Sequence, residues 1–282
     1  MTIPIDFGHD TSKAQNAVAV AERRNLPVPQ AIHDTAAMWQ VIMDASHMRA
    51  DERPTRDDVP DSADELRALI EARAHQHRIA EAHRQVAGDW REPVSRRYNQ
   101  LVREQVDGWI RELQVDFLAL TKVLAKQEKK LPELLDPVHL DLRNPAISAP
   151  WETASAAAVK LDQLVADRQI MARAASQDLG RDAQLWAVAK IDEPTEADVF
   201  GHKLREHVGP ALREWRDLRH QPIARWLHLA RSPHLTLQLA TPGEVEQRQA
   251  TMDRWHEAVQ VVMGSGLSRQ QAQHAVATAL RG

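Results

Sequence analysis

Between Asp61 and Leu131 the chain reads as helix almost throughout, interrupted only by Pro93. The second half of this stretch carries apolar residues at Val102, Val106, Trp109, Leu113, Phe117, Leu120, Leu124 and Leu131. The steps between them are mostly four and three. That spacing lines one helix face and lets it pack along its whole length against another helix. The consecutive steps of four from Trp109 to Leu113 to Phe117 insert a stutter, which locally unwinds a supercoil. The stretch opens with Ser62 and Glu65, a capping box in which each side chain satisfies the other residue's orphan backbone N–H. From Asp61 to Glu92 the apolar face is weaker: Leu66, Leu69, Ile70, Ala80 and Ala87. Pro93 lacks an N–H and its ring clashes one turn back, so the helix kinks or folds into a hairpin there. No Gly-rich turn accompanies it, which favours the kink.

Shorter helical segments flank this spine. Residues 1–60 read as an N-terminal helical arm and linker. Asp10 caps a helix running to about Arg24, and Asn25 suits its end. Leu26-Pro27-Val28-Pro29 is a stiff connector. A second helix starts near Pro29 or Gln30, with Ile32, Ala36, Trp39 and Met43 on one face, and a charged, Pro-bounded linker follows. The spine occupies 61–131. Residues 132–150 hold Pro132, Pro137, Pro145 and Pro150 and form a Pro-rich linker. Its short alternating run Val138–Leu142 can pair with a second such run, Leu235–Leu239, as a minor two-stranded ribbon. Residues 151–282 form a C-terminal helical bundle. One helix runs from Trp151 to about Leu179, ended or bent at Gly180, and a short one holds Leu185, Trp186 and Ala189. Later helices are capped by Thr195, by Thr241 with Glu244, and by Ser268 with Gln271. The fold class is therefore all-α: a long kinked or hairpinned helical spine, a C-terminal bundle and at most a two-stranded ribbon.

Composition narrows the function. Hydrophobic residues make up 43% of 282, enough for a real core. The net charge of −4 gives no domain-wide positive field of the kind that marks nucleic-acid or membrane binders. With no cysteine, disulfides, thiolate metal ligands and cysteine nucleophiles are excluded. The start, Met1-Thr2-Ile3-Pro4-Ile5-Asp6, lacks a basic region followed by an apolar run, and no apolar run reaches membrane-spanning length. A cytoplasmic origin is expected. Arg dominates the 36 basic residues, a bias of GC-rich coding that suits high-GC bacteria or their phages, and so a virion component.

Candidate chemistry is sparse. His75, His77 and His83 sit on the spine, but spacings of two and six do not aim two imidazoles at one ion, so no metal site is expected. His77 lies within the arc of Leu66 and Ile70 and reads as a half-buried residue at a packing seam. The stretch Arg213, Arg216, Arg219, Arg225 and Arg231, interleaved with Trp215 and Trp226, could contact phosphates and stack on bases. Leu212, Trp215 and Leu218 share a helix face, however, and Glu214 and Asp217 dilute the charge. No phosphate-cradling Gly-rich loop, nucleophile elbow or H-E-x-x-H is present. No catalytic residue and no cofactor is assigned, and the chain is not expected to be an enzyme.

The leading expectation is a structural, protein-interaction subunit. It would bind copies of itself or other proteins through long amphipathic helices, as a virion component or assembly adaptor does. The expected interface is Val106, Trp109, Leu113, Phe117, Leu120 and Leu124. The strong half of the spine, about 38 residues and about 57 Å long, exceeds a small domain and calls for a second chain. The alternative is a nucleic-acid-associated protein using Arg213–Arg231, and an enzyme of unrecognised type comes third.

Overall fold

A computed structural model describes residues 10–48, 59–132, 140–175, 183–264, 266 and 268–281. Among the described residues the protein is all-α with one two-stranded ribbon. It divides into two compact units, Met1–Gln105 and Val106–Gly282, and the boundary falls inside the long helix.

The first unit holds α1 (Ser12–Arg23), α2 (Gln30–Ser46) and the first part of α3 (Ala63–Glu128). In α1, Ala14, Ala17, Val18, Val20 and Ala21 are buried. Its end is a Schellman motif. Asn25 takes φ of 56°, its N–H donates to Glu22 O at 2.9 Å, and Leu26 N donates to Ala21 O at 2.8 Å. Asparagine tolerates this left-handed turn better than most residues. In α2, Ile32, Thr35 and Ile42 are buried, and the Thr35 hydroxyl donates to Ala31 O at 2.7 Å.

Helix α3 starts where Ser62 accepts the Glu65 N–H at 3.2 Å and continues for 66 residues. Pro93 lies inside it, so the chain does not reverse there. Proline removes one i→i−4 bond, and the exposed position of Asp89, whose carbonyl loses its donor, lets water take that place. Within the first unit α3 buries Ala80, Ala87, Ser95, Tyr98 and Val102. Burial, and then the nearby Glu22 carboxylate, push the Tyr98 phenol above its usual pKa. The Asn99 amide donates to Asp10 O at 3.1 Å, tying the start of α1 to α3.

The second unit begins with the rest of α3 and adds α4 (Pro145–Ala174), α5 (Ala183–Trp186), β1 (Ala189–Ile191), α6 (Glu196–Phe200), a π-turn at Leu204–Val208, α7 (Gly209–Asp217), a 3₁₀ turn at Leu218–His220, α8 (Pro222–Arg231), β2 (Leu235–Leu237), α9 (Pro242–Gly264) and α10 (Arg269–Arg281). Helix α8 packs on α4 and α7, and α9 packs on α5, α6 and α10. Trp186, Trp226, Trp255, Leu161, Leu164 and Met171 are fully buried. The caps at Thr195, Thr241 and Ser268 form with reciprocal bonds to Asp198, Glu244 and Gln271.

Two expectations change. The ribbon pairs β2 with β1, antiparallel, with Lys190 opposite Thr236, not with the run ending at Leu142. Leu140–Leu142 is not extended, while Val138 and His139 lie outside the described residues. The partner strand Ala189–Ile191 alternates buried and exposed, a pattern too short to stand out beside Leu185 and Trp186. Helix α4 begins at Pro145, inside the stretch read as linker. Asn144 accepts the Ala146 N–H at 3.0 Å, and Pro145 takes the first helical position, where its missing N–H costs nothing. Gly180 lies outside the described residues.

Arg248 anchors the ribbon. One guanidinium nitrogen donates to Trp186 O (2.8 Å), Ala189 O (3.1 Å) and Gln238 O (3.1 Å), and the other to Gln238 Oε1 (2.9 Å). Arg168, also buried, donates to Ala240 O at 2.7 Å. Burial, and then the positive charge of Arg248, lower the Arg168 pKa to about 10, with Glu244 opposing.

Candidate interaction surface

The apolar stripe on the second half of α3 is covered by the chain itself. Val106, Trp109, Leu113, Phe117 and Leu124 are buried within the single chain and Leu120 is half-buried. Phe117 meets the Trp226 indole edge-on, with centroids 5.9 Å apart. These residues are core of the second unit, which leaves Leu120 as the one with substantial exposed surface.

The arginines of the basic stretch split into two groups. Arg225 bonds the Asp162 carboxylate at 2.6 Å and lies 4.1 Å from the centroid of Trp215. The same carboxylate oxygen accepts the Trp226 indole N–H at 2.8 Å. Arg231 bonds Glu128 at 2.7 Å and Pro132 O at 2.7 Å. Both are committed to holding helices together. Arg213, Arg216 and Arg219 are exposed, and Arg219 donates to His220. Trp215 and Trp226 are buried and edge-on to one another, so neither presents a face for a base.

An open surface lies on the first half of α3, where the sequence shows only a weak apolar face. Leu69, Ala72, Gln76, Ile79, His83, Val86 and Trp90 follow one another in strict steps of three and four, and all are exposed. Leu69 is 52%, Ile79 42%, Val86 57% and Trp90 58% accessible. Of the eight Trp residues, Trp90 alone is exposed, whereas Trp39 and Trp151 are half-buried and the other five are buried. The face covered by the chain passes through Ala80 and Ala87. Each lies one residue after a stripe member and therefore about 100° around the helix. The stripe is thus a second face, with an open flank of Ala68, His75, Ala82 and Asp89, all exposed. The same three-and-four register continues outward to exposed Glu65 at one end and exposed Pro93 and Arg97 at the other.

This repeat escapes a hydropathy reading because Ala72, Gln76 and His83 dilute it. Its signal is the large apolar side chains at Leu69, Ile79, Val86 and Trp90, which share one register. His77 is exposed and not half-buried, since no residue from Asp61 to Ile79 is buried. His75 and His83 are exposed as well, on different faces of one helix. Glu81 with Arg84 and Glu92 with Arg96 form same-helix ion pairs on the exposed surface. No described helix is long and apolar enough to cross a membrane. No family model, curated protein sequence or solved structure matches the chain.

Proposed function

We propose that this chain is a structural, protein-interaction subunit that assembles through its long amphipathic helix, a role of the kind filled by virion components and assembly adaptors. The observation that carries the reading is the exposed stripe from Leu69 to Trp90. Large apolar side chains recur there at coiled-coil spacing on a helix surface that the chain itself leaves uncovered. Exposed apolar side chains scattered singly need no explanation, but an aligned series on one helix face marks a surface built to be covered. The earlier stripe from Val106 to Leu124 serves the subunit's own core.

Sedimentation velocity of the wild type across a concentration series tests this. Association that rises with concentration, or a stable complex with a protein partner, is the expected result. The double variant Ile79→Asp/Val86→Asp should weaken it while keeping the wild-type circular dichroism of the dilute chain, because both side chains are exposed in the single subunit. A wild type that stays monomeric at every concentration and binds no partner would overturn the reading.

A further inference from the structure

We infer that the face of α3 between Glu65 and Arg97 pairs with the same face of a second copy of this chain, the two helices running antiparallel. The inference rests on the assembly reading above and adds the occupant, the direction and the register.

The ends of the stripe carry opposite charge, Glu65 at one and Arg97 at the other, both exposed. When two such helices run in opposite directions, Glu65 of each copy meets Arg97 of the other. The layers between then follow in order: Leu69 against Pro93, Ala72 against Trp90, Gln76 against Val86, and Ile79 against His83, with each layer repeated by the two-fold axis. A two-fold interface must be self-complementary in this way. The largest side chain in the series, Trp90, falls opposite the smallest, Ala72, so the bulk of one fills the space left by the other. On the open flank the same register brings His75 of one copy beside Asp89 of the other. Ala82 meets Ala82 close to the axis.

A parallel pair fails on each count. It sets Glu65 against Glu65 and Arg97 against Arg97, and it crowds Trp90 on Trp90 while leaving Ala72 facing Ala72. Like charges brought together across an interface select against that arrangement. The flank of Ala80 and Ala87 is buried within the single chain. The second helix therefore lies over the stripe and its open flank.

The absence of cysteine makes a clean test possible, because each introduced thiol is the only one. The full-length single variants Ala82→Cys and Ala72→Cys are treated with a short bis-maleimide. In the antiparallel register Ala82→Cys cross-links to itself, whereas two copies of Ala72→Cys lie about 27 Å apart along the axis and do not. Efficient self-cross-linking at Ala72→Cys would show a parallel pair and overturn the inference, while the assembly reading stood. Self-association without cross-linking at Ala82→Cys would place the contact elsewhere and overturn it too. A wild type that never self-associates overturns the inference whether or not it binds another protein, and overturns the assembly reading as well if no partner binds.

A charge exchange checks the register without new thiols. Glu65→Arg and Arg97→Glu should each weaken self-association on the order of tenfold, since each turns two attractions into two repulsions. An equimolar mixture of the two should associate as tightly as the wild type, because both end pairs are then opposite in charge. A mixture no tighter than either variant alone, with helix content unchanged by circular dichroism, would overturn the register.

Discussion

Arg248 and Arg168 place two cations in the same buried region and put them to different use. Four acceptors depend on Arg248, three of them backbone carbonyls of the ribbon and its approaches. Removing the donor leaves these groups unpaired, and each unsatisfied buried group costs about 1–3 kcal/mol. Arg248→Met should therefore lower stability by about 3 kcal/mol or more. Arg168 supplies one bond, to Ala240 O, and its charge is disfavoured by burial and by Arg248. Arg168→Met leaves that single buried carbonyl unpaired, at about 1–3 kcal/mol, while relieving the buried charge, so it should cost clearly less than Arg248→Met. Urea unfolding of the two variants checks the contrast. A histidine gives the pH dependence at this scale. Burial holds the His228 pKa below 6.5, opposed by Glu214 and assisted by Arg231. Burial and the neighbouring His207 and Lys203 lower His234 in the same direction. A lowered histidine pKa means the unfolded chain binds protons first as pH falls through about 6.5. Stability is then undiminished above that pH and is lost below it. The urea midpoint should drop from pH 7 to pH 5, and His228→Leu should flatten that slope.

At the scale of elements, α3 is one helix with two different apolar faces. In the second unit its face is core. Phe117→Ala and Leu113→Ala should cost about 3–5 and 2–5 kcal/mol, as full burial without room to collapse implies, and the half-buried Leu120→Ala clearly less. Equilibrium unfolding of the three variants gives the order. This face was legible in the sequence because Val106, Leu113, Phe117 and Leu124 are strongly apolar and regularly spaced. The caps at Thr195, Thr241 and Ser268 were legible for a local reason, since each needs only its own residue and one three positions on. What was not legible depends on residues distant in sequence. The partner of Leu235–Leu237 is a three-residue strand that owes its place to Arg248, which no local pattern reveals. That the helix continues through Pro93 and does not turn back was legible from the absence of a Gly-rich turn there. The Leu69–Trp90 face went unread for a local reason. Leu69, Ile79, Val86 and Trp90 share one register, but Ala72, Gln76 and His83 between them carry little hydrophobic weight.

For the molecule as a whole, the question is what keeps the start of α3 ordered. From Asp61 to Ile79 no residue is buried and only Arg73 is half-buried. A helix gains most of its stability in proteins from packing an apolar face, and an isolated segment of this length is marginal in water. The cap at Ser62 and the Asp64–Arg67 ion pair contribute at most about 1 kcal/mol each. Such terms cannot hold several turns by themselves. Covering the Leu69–Trp90 face with a second chain removes that deficit, so order in this segment and assembly should be linked. The observable is amide hydrogen exchange followed by mass spectrometry at a series of protein concentrations. Peptides spanning 63–79 should exchange quickly in dilute solution and become protected as concentration rises. Peptides spanning 106–124, whose apolar face is buried within the second unit, should be protected at every concentration. Ile79→Asp/Val86→Asp should hold 63–79 in the fast regime throughout and leave 106–124 unchanged. Equal protection of 63–79 at all concentrations, in a chain shown by sedimentation to be monomeric, would mean that the helix stands on local interactions alone and that its exposed face has no structural call for a partner.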